Sequence, residues 1–226
     1  YGRKIVSLCE NHNCSEKVLL AKAYMAKYKE KVNINTEEIK SFILPTIKSY
    51  DFKNNFIKAR FYNLAGEYFL SKGQQTKATY YLRTAHEIYI KHSDKNKDTY
   101  YNNYYLFLSY INQNAYDSAF YFISKTIEDA DFLGNPNFRL EARSFLAAYY
   151  SNKVDYAKAI KIQLEVIDLA KEAKKPYIDL SLLESQLAFY YSLHKEIDKA
   201  LKILQNVIEK LEKVSGIHKV QRIEAS

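Results

Sequence analysis

The chain repeats itself. Four stretches, "AGEYFLSKGQQTKA", "LFLSYINQNAYDSA", "LAAYYSNKVDYAKA" and "LAFYYSLHKEIDKA", end on Ala78, Ala119, Ala159 and Ala200, at steps of 41, 40 and 41 residues. Twelve residues before each alanine stand Gly66, Phe107, Ala147 and Ala188. Breaks at Ser93-Asp94, Gly134-Asn135-Pro136, Lys175-Pro176 and Ser215-Gly216 keep the same step, and weaker ones near Asn11 and Phe52 extend it. A fixed period of this size marks a row of similar supersecondary pieces, none able to bury its apolar face alone. It predicts five units, 12–52, 53–93, 94–134, 135–175 and 176–216, within a single repeat domain over 1–226. The remainder, 217–226, then reads as a capping or truncated helix, with Ile217, Val220 and Ile223 on its apolar side.

Each unit reads as helix A, a tight turn, helix B and a second turn. Only five glycines and three prolines interrupt 226 residues, too little punctuation for sheets. Helix B carries its stripe plainly: Ala159, Ile160, Gln163, Val166, Ile167 and Ala170 recur at three- and four-residue steps. Ala200, Leu201, Leu204, Val207, Ile208 and Leu211 repeat the pattern. Such spacing puts every member on one face of a 3.6-residue period and predicts burial of both stripes. The small residues on A and B let two antiparallel helices approach closely. Phe107 breaks that rule, which predicts a splayed or locally repacked pair in its unit.

Leu146-Ala147, Tyr150, Tyr156 and Ala159 resemble the tetratricopeptide repeat in order, as do Leu187-Ala188, Tyr191, Ile197 and Ala200. Ala65-Gly66, Phe69, Gly73, Ala78 and Ala85 match as well. The likeness covers roughly 53–216, and weakly 12–52, where Pro45 interrupts the second helix. It implies an all-α fold, an α-solenoid of the right-handed superhelical kind. The common repeat has about 34 residues; the longer unit here resembles those of MalT-type activators and of peptide-responsive Rap and PlcR regulators. In those families such arrays sense ligands or hold partner proteins.

Composition narrows the alternatives. Apolar residues make up 47% and charged residues 27%, a globular balance. The formal charge is +8, yet 28 of the 34 basic residues are lysines that alternate with acids, as in "KEAKK" and "EKLEK". That is the pattern of a solvated helix face, so nucleic acid is not the expected partner. No apolar run is long enough to span a bilayer, and direct membrane insertion by this segment is not expected. There is no glycine-rich phosphate loop, His-Glu-x-x-His pair or Gly-x-Ser-x-Gly elbow. The histidines are scattered, and neither enzyme activity nor a cofactor is expected. Cys9, His12 and Cys14 fall short of the four ligands zinc prefers, so no metal site is expected. The pair reads as reduced thiols, with a short-loop disulfide the alternative in an oxidising compartment.

The resemblance also places a candidate site on the concave face that the A helices line. Residues six and three before, and one and four after, each small position are Arg60, Asn63, Glu67 and Leu70; Tyr101, Tyr104, Leu108 and Ile111; Glu141, Ser144, Ala148 and Ser151; Leu182, Ser185, Phe189 and Ser192. Aromatic and aliphatic bulk beside small hydroxyls is suited to a protein or peptide, or to a small ligand. Tyr104 and Phe189 could equally pack against a neighbouring unit. Chaperone-tail recognition needs Lys and Asn on successive A helices; Asn63 with Glu67, then Tyr104, does not supply them.

The expected function is therefore a non-enzymatic interaction or sensor region of a larger bacterial signalling or transcription regulator, with a free-standing assembly adaptor as the alternative. A homodimer is compatible with either. The expected compartment is the cytoplasm, or the outer side of the membrane for a sensor region of an anchored regulator.

Overall fold

The computed structural model describes residues 15–31, 39–92, 95–173 and 179–215. Cys9, His12 and Cys14, the breaks at Ser93-Asp94 and Lys175-Pro176, and the 217–226 segment lie outside the described residues. Every described element is helical. The chain divides into two compact units, Tyr1–Leu133 and Gly134–Ser226, at the Gly134-Asn135-Pro136 break.

In the first unit α1 (Ser15–Lys31) is followed by a π-helical turn (Ile39–Ile43) that runs into the short α2 (Leu44–Ser49). Pro45 sits at the start of α2, where its missing N–H costs nothing, so the expected interruption is a change of helix type. Two hairpins follow: α3 (Asn55–Ser71) with α4 (Gln75–His92), and α5 (Lys97–Ile111) with α6 (Tyr116–Leu133). The α4 helix also packs on α5, so the hairpins stack in a row. The second unit repeats the plan with α7 (Pro136–Asn152), α8 (Tyr156–Glu172), α9 (Leu180–Leu193) and α10 (Ile197–Ser215), α8 packing on α9.

Helix starts follow from asparagine and aspartate. Asn54 accepts hydrogen bonds from the N–H groups of Phe56 and Ile57; Asn135 and Asp179 cap α7 and α9 in the same way. Asn96 and Thr99 form a reciprocal capping box at the start of α5. Helix ends are also periodic. Gly73, Asn114, Val154 and Lys195 each take a left-handed φ, between 57° and 69°. Each stands seven residues after the small position of its helix A. Paired backbone bonds, such as Val154 N to Ser151 O and Asp155 N to Tyr150 O, close every turn as a Schellman motif.

The small positions do what their spacing predicts. Ala147, Ala159, Ala188 and Ala200 are buried. A Cβ added at Gly66 would lie 2.5 Å from Leu82 Cγ, so α3 and α4 touch closer there than any side chain would allow. Phe107 is buried, and α5 and α6 remain in extensive contact. Its bulk is absorbed by local packing and the pair is not splayed.

The α8 stripe is buried to the last member, Gln163 included. The α10 stripe is not. Ala200 and Val207 are buried against α9, whereas Leu201, Leu204, Ile208 and Leu211 are exposed. Periodicity fixes which side chains share a face but not whether a neighbour covers it. Among the described residues α10 is the last helix of its row, and four of the six members of its stripe are left uncovered.

Candidate functional site

A cavity of about 460 Å³ opens in the first unit. Three successive A-type helices line it: Tyr24 and Lys27 from α1; Arg60, Asn63, Leu64 and Glu67 from α3; Lys97, Asp98, Tyr101 and Tyr105 from α5. Tyr89 of α4 closes the base. Four expected residues, Arg60, Asn63, Glu67 and Tyr101, therefore converge.

Ion pairs staple the neighbouring helices. Lys27 Nζ lies 2.6 Å from Glu67 Oε2, and Arg60 holds Asp98 through Nε at 3.2 Å and Nη2 at 2.7 Å. Each pair joins residues about one repeat apart, and each is partly shielded from water. Burial disfavours the charge on Arg60, but the hydrogen bond to Asp98 and the attraction of that carboxylate together outweigh it and raise the pKa. The guanidinium also lies 4.7 Å from the centre of the Phe56 ring. Burial raises the phenol pKa values of Tyr24, Tyr89 and Tyr105, the last also bonded to Glu67. These tyrosines are therefore neutral donors at physiological pH.

Behind the cavity runs a buried amide chain. Asn102, fully buried on α5, donates from Nδ2 to the Leu82 carbonyl at 3.0 Å and to Asn63 Oδ1 at 3.0 Å. Because a carbonyl only accepts, the Leu82 contact fixes which end of Asn102 is nitrogen. Asn102 Oδ1 then faces His86 Nδ1 at 3.1 Å, so that ring nitrogen carries the proton. The second Asn102 hydrogen requires Asn63 to present its oxygen, which leaves Asn63 Nδ2 for the cavity.

The other expected residues do not join this site. Tyr104 is half-buried against Tyr105, and Leu108 is half-buried. In the second unit Leu182 and Phe189 are 54% and 56% exposed, so Phe189 is a surface side chain and not core. Ser185 donates to the Ser181 carbonyl of its own helix, Ser144 Oγ is buried, and Ala148 is half-buried. A second cavity, of about 370 Å³, lies among α8, α9 and α10, lined by Leu164, Ile167, Glu184, Leu187, Ile203 and Lys210. It contains none of the expected residues.

Sequence reasoning missed Tyr24, Lys27, Lys97, Asp98, Tyr105 and Asn102. A signal for Lys27 existed: stepping back 40 residues from Gly66 lands on Ala26, which is buried, and Lys27 follows it as Glu67 follows Gly66.

No protein-family model matches the sequence, and no curated protein does. Solved structures do. BtubC (BKLC) from P. vanneervenii superimposes with a TM-score of 0.79 at 13% identity, over 100% of this chain and 94% of that one. The fold is that of an all-α tetratricopeptide-like solenoid. A putative kinesin light chain with nearly identical TPR-like repeats, from Podosopora anserina, matches with a TM-score of 0.73 at 13% identity over 87% and 95%. The apo form of RapI matches with a TM-score of 0.66 at 14% identity over 86% and 72%. The first-unit cavity lies on the face that the A helices α1, α3 and α5 line.

Proposed function

We propose that this chain is a non-enzymatic scaffold that binds an extended peptide or protein segment on the A-helix face, and that it is the sensor or interaction region of a larger bacterial signalling or transcription regulator. The open cavity across α1, α3 and α5 carries the reading. It combines tyrosine surface, which binds without great entropic cost, with polar groups that fix a ligand's direction. The 41-residue unit and the likeness of the fold to RapI support the regulatory part. Exposed Leu182 and Phe189 offer apolar anchors on the A-helix face of the second unit.

A displayed library of random octapeptides tests it. Enriched peptides are expected to bind the chain and to lose about tenfold or more in affinity with Tyr101→Ala, the cost of removing a well-packed aromatic anchor. Enrichment of no sequence, or binding indifferent to Tyr101→Ala and to Phe189→Ala, overturns the reading.

A further inference from the structure

Helix α10 carries two apolar faces. The inner one, Ala200, Ile203 and Val207, is buried or half-buried within its unit. The outer one is Ile197, Leu201, Leu204, Ile208 and Leu211, each between 39% and 59% exposed. Its steps are four, three, four and three residues, a mean of 3.5. That is the period at which one helix keeps a continuous seam against another. Branched aliphatic side chains fill every position, and a contiguous patch of this kind marks an interaction surface.

The seam differs from those that a helix A covers. The B helices α4 and α8, each packed under a following helix A, reach into it with polar groups. Thr79 bonds Ser109 at 2.7 Å and His86 bonds Asn102 at 3.1 Å, while Gln163 donates to the Leu183 carbonyl at 2.9 Å. The outer face of α10 presents no such hook. Its spacing is also palindromic: Leu201, Leu204, Ile208 and Leu211 stand three, four and three residues apart. The pattern is the same from either end, as a two-fold axis across the helix requires. The margin is balanced, Asp198, Glu209 and Glu212 against Lys199, Lys202 and Lys213, so two chains of charge +8 meet here on a locally neutral strip. Five half-open side chains from each copy, with the stems flanking them, supply roughly the 1,000 Å² that a specific interface needs.

We propose that α10 pairs antiparallel with α10 of a second copy of this chain, setting Leu201 against Leu211 and Leu204 against Ile208 across a two-fold axis. The pairing is independent of the first-unit cavity and of the peptide-binding reading.

Sedimentation equilibrium of the full chain from about 1 to 100 μM tests it, the range over which a micromolar dimer dissociates. Wild type is expected at twice 26.5 kDa. Leu204→Lys and Ile208→Glu are each expected to weaken the pair about a hundredfold or more, because a symmetric dimer buries each new charge twice without a partner. Mixed in equal amounts, the two variants are expected to regain the dimer. The introduced ammonium then meets the introduced carboxylate on one side of the axis, and Ile208 meets Leu204 on the other. A parallel pair would set each position against itself, and mixing would not restore it. Both positions are exposed in the single chain, so the helical circular dichroism of each variant is expected to match wild type. A monomeric wild type overturns the proposal; if Leu204→Lys then lowers its melting temperature, another segment of the same chain covers the face. A dimer indifferent to both variants, or no recovery on mixing, overturns it too.

Discussion

A single carbonyl, that of Leu82, sets the chemistry of a side chain it never touches. It orients Asn102, and Asn102 in turn orients Asn63 and the tautomer of His86. Burial lowers the His86 pKa, opposed by its bond to Asn102 and assisted by nearby Arg83. The neutral ring is thus the form the fold prefers. Above the unfolded value of about 6.5 both states are neutral and the full stability is present. As pH falls below it the unfolded chain takes up a proton more readily than the folded one, and stability drops until the folded value is passed. Urea titrations from pH 7.5 to 5 are expected to show wild type losing stability relative to His86→Gln over that window; parallel curves would contradict it. None of this could be read from the sequence. An asparagine in a helical core stripe is visible, but its partners depend on the stagger between hairpins, which a period does not specify.

At the scale of the element, the sequence was far more legible. Helix lengths, turn positions, small contact residues and the α8 stripe follow from period and residue size alone. The turn conformations were legible only at Gly73. Its equivalents Asn114, Val154 and Lys195 adopt the same left-handed φ without glycine. Val154 is the costliest, since a branched Cβ crowds the backbone there by about 1–2 kcal/mol. It is 68% exposed and packs little. Val154→Gly gives back part of that gain by loosening the unfolded chain, about 0.4–1 kcal/mol. A net stabilisation of about 0.5–1 kcal/mol is expected, read as a higher denaturation midpoint. The mostly open α10 stripe marks the opposite limit: amphipathicity announces a face, and only a neighbour decides whether it is covered.

At the scale of the molecule, the division at Leu133 and Gly134 has a direct consequence for the site. Every residue of the first cavity, and the whole Leu82–Asn102–Asn63–His86 chain, lies within 1–133. A fragment of residues 1–133 is expected to keep its helical circular dichroism and the cavity's peptide response. Loss of both would show that the first unit does not stand alone. The sequence marked this boundary as one break among several equal ones, because composition does not reveal where packing density falls.

The staples Lys27–Glu67 and Arg60–Asp98 bridge consecutive repeats and also border the cavity. Any guest that draws on Arg60 pulls at the same moment on Asp98, at the threshold of α5. Were the cavity to take a guest there, its pull would pass through that ion pair into the first turn of α5.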